Sequence, residues 1–172
     1  MRRPEINFSK WKFSVDLLET KKIQNQEGMP AYGCVCKNCE AWRKYYKDTL
    51  TENLLMHLRR IGVDLDHPTE CYGQQDHSGR YSRRVIFHIV GIIRSGPDSK
   101  VYNEDIGNYV MNYVPIRKDP WLSITVLPSR ESYEVCPKRI NGTDDGIVCI
   151  DIRLDLLCRG DEKYLTKPVR GE

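Results

Sequence analysis

No run of apolar residues in this chain is long enough to cross a membrane. The longest, Val85 to Ile93, is broken by His88 and Gly91, far short of the roughly 18 consecutive apolar residues that a spanning helix needs. The start, Met1-Arg2-Arg3-Pro4-Glu5, leads into no apolar core of a secretory leader. The compact catalytic signatures are missing as well: there is no Gly-x-Ser-x-Gly elbow, no phosphate-cradling glycine loop and no His-Glu-x-x-His. No internal repeat is visible. Charge of one sign is not concentrated, because the net charge is only +3 and the basic pairs Arg59-Arg60, Arg83-Arg84 and Lys138-Arg139 are scattered among acidic residues. Such pairs read as solvated surface charge rather than the one-sided basic face of a nucleic-acid binder. Together these absences predict a cytoplasmic protein with no membrane partner.

With 172 residues, 40% hydrophobic and 30% charged, the chain has the size and composition of one globular domain with a proper core. We expect that domain over residues 1–160 and a loose tail over 161–172, where periodicity ends. Seven cysteines are an odd number. Without an export signal they predict reduced thiols and no structural disulfide. Asn141-Gly142-Thr143 matches a glycosylation acceptor, but in that compartment it reads as a turn.

Trp11, Phe13, Val15 and Leu17 alternate with polar residues, the period of a half-buried strand. The polar run Gln24 to Gly28 follows as a loop. A helix is expected from about Asn38 to Lys47, with Ala41, Trp42, Tyr45 and Tyr46 on one face. Thr51 caps a second helix, in which Leu54, Leu55, Leu58 and Ile61 form a stripe that packs on a sheet, and Gly62 ends it. Val85 to Ile93 has the look of a central strand covered on both faces. Leu122, Ile124 and Val126 form another strand, stopped by Pro128. Val148, Ile150, Ile152, Leu154 and Leu156 alternate with Cys149, Asp151, Arg153 and Asp155. That pattern predicts one dry face and one wet face, with Ile152 buried and Arg153 exposed. Tyr102 to Val114 mixes helical and extended spacing.

The segment richest in chemistry is Cys34-Val35-Cys36-Lys37-Asn38-Cys39. Zinc takes four tetrahedral ligands, and a Cys-x-x-Cys turn presents two of them at the correct bite. Cys36 and Cys39 form that pair, Cys34 supplies a third thiol, and Cys71 or His67 could complete the set. No second Cys-x-x-Cys or His-x-x-x-His half accompanies them, so a cluster of unmetallated thiols stays open. A redox role is the other reading, since thiols at a helix start are acidified; the segment Gly28 to Gly33 is not the buried strand that precedes a thioredoxin-like motif. His88, within the most apolar strand, reads as a hydrogen-bonded core histidine rather than a general base. Asp64-Leu65-Asp66-His67-Pro68 reads as turn chemistry.

The order of these pieces resembles a family of small bacterial proteins without assigned activity, found mainly in Firmicutes and their mobile elements. The residues that carry the resemblance are Cys36, Cys39 and Trp42, then Ile61-Gly62-Val63-Asp64, then Phe87-His88-Ile89-Val90-Gly91. It spans about residues 30 to 157, and departs from the family pattern at Arg84, Val85 and Ile86 and in the added thiols Cys34 and Cys71. The resemblance implies one α+β domain and says nothing of chemistry.

The expected architecture is therefore a single α+β domain, a mainly antiparallel sheet with a helical pair packed on one face. No catalytic set and no cofactor are expected; if a metal binds, it is zinc on Cys34, Cys36, Cys39 and Cys71. The expected function is that of a non-catalytic interaction protein of bacterial or phage origin, a regulator or inhibitor of a protein partner. Ten tyrosines suit such recognition. Two alternatives remain: a nucleic-acid-binding protein with a small zinc site, and a small enzyme or small-molecule binder with a pocket around His88, Tyr109 and Asp151.

Overall fold

The computed structural model describes residues 5–75, 81–142 and 146–155. Within them the chain is an α+β domain built on a seven-stranded sheet. In chain order the elements are β1 (Glu5–Phe8), β2 (Trp11–Val15), α1 (Leu17–Ile23), α2 (Lys37–Thr49), α3 (Glu52–Arg60), β3 (Glu70–Gln75) and β4 (Tyr81–Ser95). There follow β5 (Lys100–Asn103), β6 (Asn108–Met111), β7 (Val114–Arg117), β8 (Leu122–Pro128) and β9 (Ile147–Leu154). The sheet runs β1-β2-β4-β9-β8-β7 with β3 also on β4, and every pairing is antiparallel. β5 and β6 form a separate hairpin.

The main core lies between the helical pair and one sheet face. Trp42, Tyr45 and Tyr46 of α2 and Leu54 and Leu58 of α3 meet Val85, Phe87 and Ile89 of β4 and the even-numbered residues of β9. Trp42 stacks on Tyr46 at 5.4 Å, tilts against Phe87 at 5.9 Å and donates its indole N–H to the Leu65 carbonyl at 2.7 Å. The buried indole is thus both packed and hydrogen-bonded, as aromatic groups with a polar handle require. The Thr51 cap (Oγ1 accepting from Leu54 N, 3.2 Å) and the left-handed Gly62 (φ 87°) bound α3 as its sequence signals indicate.

Two expectations need correction, and one interval of mixed spacing is resolved. Leu17 does not extend the first strand: Asp16 caps α1 instead, its carboxylate accepting from Glu19 N at 3.1 Å. This short helix seals a gap in one edge of β4, between the stretches paired with β3 and β2. Gln24 donates to the His88 carbonyl at 2.6 Å, Thr20 Oγ1 accepts from Val90 N at 2.9 Å, and Asp16 N donates to Val90 O at 2.8 Å. Buried edge groups need such partners. Second, the face of β9 read as wet is covered: Cys149 and Asp151 are buried like Ile152, and Arg153 is half-buried with its guanidinium 4.0 Å over the Tyr113 ring. The ambiguous interval after Tyr102 is a hairpin, its turn held by Asn103 Oδ1 accepting from Asp105 N (2.9 Å) and Ile106 N (3.3 Å). Leu156, Cys158, the expected tail 161–172 and residues Thr143, Asp144 and Asp145 of the expected turn lie outside the described residues.

Candidate metal centre

The thiol cluster is assembled by a tight loop and a helix start. Ala31 N donates to the Thr69 carbonyl at 3.0 Å, pinning the loop to the residue before β3, and Gly33 takes the left-handed conformation (φ 61°) that turns it toward α2. Arg43 reaches back from α2 to the Cys34 carbonyl at 2.8 Å. Cys36 is the N-cap residue of α2, and its thiol makes no cap hydrogen bond. Cys39 follows in the first turn and is buried.

The Sγ atoms of Cys34, Cys36 and Cys39 all lie within 4.8 Å of one another. A tetrahedral zinc with Zn–S near 2.3 Å holds its sulfurs about 3.8 Å apart, so small χ1 adjustments suffice to ligate one ion. Among the described residues no other group of three or more His, Cys, Asp and Glu ligand atoms converges in this way. This group could hold a metal ion. Cys71 on β3 is buried, with its thiol 3.4 Å from the Asn38 carbonyl, close to Cys39 but outside the set of three within 4.8 Å.

The thiols respond to one another electrostatically. Burial opposes ionisation of Cys36, but the Cys39 backbone N–H and the neighbouring thiols outweigh it and hold Cys36 below the ordinary value. The Cys71 contact, then burial, push Cys39 strongly up. Cys34 also rises: the Cys36 N–H pulls it down, but its contact with the Cys36 thiol, burial and the Cys39 thiol together prevail. Thiolates packed this closely repel unless a cation sits between them.

His67, the alternative fourth ligand, is engaged elsewhere. Its Nδ1 lies 2.7 Å from Asp64 Oδ2 while Asp64 Oδ1 accepts from Asp66 N at 3.1 Å. That is the turn read from the sequence. His67 and Cys34 share the wall of an open cleft of about 450 Å³, with Tyr32, Val35 and Arg43 also lining it.

A second set of polar residues, which the sequence pattern concealed, lies on the opposite face of the sheet. Arg84 bonds Asp151 Oδ2 through Nε at 2.8 Å, Tyr113 donates to the same oxygen at 2.6 Å, and Arg84 also contacts Tyr72 and Glu134. Tyr72 donates to Glu134 at 3.0 Å. Burial and the nearby Glu134 push Glu70 up to about 7, whereas Glu134 is held low despite its burial, chiefly by Glu70 and Arg84. The two carboxyls therefore share a proton near neutrality. His88 is 1% exposed, with Nδ1 2.9 Å from Thr69 Oγ1, a core histidine as read. The pocket imagined around His88, Tyr109 and Asp151 does not assemble: Tyr109 stands 65% exposed on the β5–β6 hairpin while the other two are buried in the sheet. Nor is Arg83-Arg84 a solvated pair. Arg83 is buried and bonded to Asn38, and Arg84 is committed to carboxylates on the other face. No spacing signal joins Arg84, Asp151 and Glu134, which are far apart in sequence: Arg84 and Asp151 meet through the β4–β9 pairing, and Glu134 reaches them from the loop after β8.

No family model, curated protein or solved structure matches this chain. No helix among the described residues is long and apolar enough to cross a membrane.

Proposed function

We propose that this is a non-catalytic, zinc-organised interaction protein that binds another protein. The observation that carries the metal half is the mutual approach of three thiols within 4.8 Å at the start of α2. Zinc is the ion of choice for such a set, because soft thiolates select it and it needs no redox partner. A thiolate centre persists where thiols stay reduced, which supports a cytoplasmic setting.

The binding half is supported by the β5–β6 hairpin. Tyr102 and Tyr109 form a cross-strand, edge-on pair at 5.4 Å and are 56% and 65% exposed. Val101 and Ile106 are exposed on the same hairpin, and Tyr133, 91% exposed, lies under Lys100. Rigid tyrosines presented on a short sheet are the residue type that dominates protein interfaces. The resemblance to small bacterial proteins fits a regulator or inhibitor of bacterial or phage origin. The nucleic-acid reading is disfavoured because Arg83 and Arg84 are spent inside the fold.

Elemental analysis of protein purified without chelator tests the metal half: about one zinc per chain is expected, and metal-free protein with an unchanged melting temperature refutes it. For the binding half, a partner captured by the wild type should be lost by Tyr102→Ala/Tyr109→Ala at unchanged stability. Equal capture by both proteins overturns the assignment of the hairpin.

A further inference from the structure

The zinc reading leaves the fourth coordination position unassigned, and that position decides whether the centre is open or closed. Three observations bear on it. Cys71 comes from β3 rather than from the loop and helix that carry the other three thiols, and its thiol is near enough to Cys39 to push the Cys39 thiol up, although it lies outside the set of three within 4.8 Å. Its thiol is 3.4 Å from the carbonyl of Asn38, the residue between Lys37 and Cys39, so it sits against the first turn of α2. It is buried, as is Cys39, whereas Cys36 is exposed and Cys34 half-exposed. The four cysteines thus run from the interior, at Cys39 and Cys71, to the surface at Cys36. His67 is exposed and paired with Asp64 at 2.7 Å.

Resting on the zinc reading, we propose that Cys71 is the fourth ligand and that the centre is a closed tetrathiolate fastening the first turn of α2 to strand β3. Such a centre keeps no position for water or substrate, so its zinc is structural and takes no part in hydrolysis. The fastening has a mechanical logic. The loop before α2 is held beside β3 by the backbone bond of Ala31 to Thr69, and the first turn of α2 by the Arg83 contact with Asn38. A Zn–S link between Cys71 and the helix start adds a bond between segments more than 30 residues apart. Metal binding then becomes part of the folding free energy.

X-ray absorption at the zinc edge of the wild-type full chain reads the ligand set without mutation. Four sulfurs near 2.3 Å are expected; three sulfurs and one lighter atom overturn the proposal. Cobalt substitution gives an independent readout. The sulfur-to-metal charge-transfer absorption of Cys71→Ser should fall by about a quarter, as one of four thiolates is lost, and its zinc affinity in competition with a chelator by at least about 10-fold. Cys71→His should restore tight zinc binding with a spectrum of three sulfurs and one nitrogen. Cys136→Ser, whose thiol is bonded to the Pro137 carbonyl outside the cluster, should match the wild type. Wild-type protein that binds one zinc while Cys71→Ser keeps the same absorption and affinity refutes Cys71 as ligand and leaves the zinc reading standing. Wild-type protein that binds no zinc removes both.

Discussion

His88 offers the sharpest quantitative test of how the sheet is built. Burial pushes its imidazole down to about 4, against the attraction of Glu134, from an ordinary value of 6.5. The native state therefore keeps the ring neutral at pH values where the unfolded chain protonates it. Stability from this source is complete above about pH 6.5 and is lost as pH falls through about 4. A shift of that size is worth roughly 3 kcal/mol, a large share of the ~5–15 kcal/mol that holds a domain together. His88→Asn removes the titration while leaving a polar atom within reach of the Thr69 hydroxyl, which lies 2.9 Å from Nδ1. Urea unfolding of both proteins at pH 7 and pH 4 should show the wild type losing about 3 kcal/mol more than the variant. Carboxylates and thiolates titrate alike in both proteins, so their contribution cancels in the difference. Parallel losses would show that His88 is hydrated in the native state, and would refute the closed second face.

The remaining predictions probe the same face and the strand that supports it. Asp151→Ala, which strands Arg84 and Tyr113 without their shared acceptor, should destabilise the domain by about 3 kcal/mol or more in urea unfolding. Glu70, pushed up to about 7 by burial and Glu134, holds a proton in the native state that the unfolded chain releases near its ordinary value. Its stabilising effect is complete below that value and fades as pH rises toward 7, so Glu70→Gln should flatten the loss of stability between pH 5 and pH 8. Gly91→Ala places a Cβ 2.7 Å from the Ser14 carbonyl oxygen on the paired strand. It should cost roughly 1–3 kcal/mol, read as a lower melting temperature.

The two long helices were legible because each carries its own instructions. The apolar stripe of Leu54, Leu58 and Ile61 and the caps Thr51 and Gly62 act within a turn or two. Helix α1 was hidden because Leu17 continues the alternation of Trp11, Phe13 and Val15; the contrary signal was Asp16, a cap residue in the middle of that pattern. The convergence of Cys34, Cys36 and Cys39 was legible from spacing alone. Cys71 could be paired with them only by supposing that the chain folds back after the helices, which β3 does.

The error on β9 has a different origin and says more about the molecule. Alternation reports side-chain polarity, and polarity was equated with water. Here the polar residues of β9 face other buried polar groups: Asp151 meets Arg84 and Tyr113, and Arg153 lies over Tyr113. Pattern alone cannot separate a wet face from a buried polar one, because both place charged residues at every second position. Period two also joins this face to the thiol cluster. Glu70 and Tyr72 on β3 turn toward Glu134 and Arg84, while Cys71 between them turns toward Cys39. On β4, Arg84 goes to Asp151 and its neighbour Arg83 to Asn38 at the start of α2. Five positions on these two strands thus face an ionic network on one side and the thiol-bearing start of α2 on the other. A slip of one residue in the β3–β4 register would break both at once. The register that buries the carboxylates is therefore the same one that sets Cys71 against Asn38 in the first turn of α2.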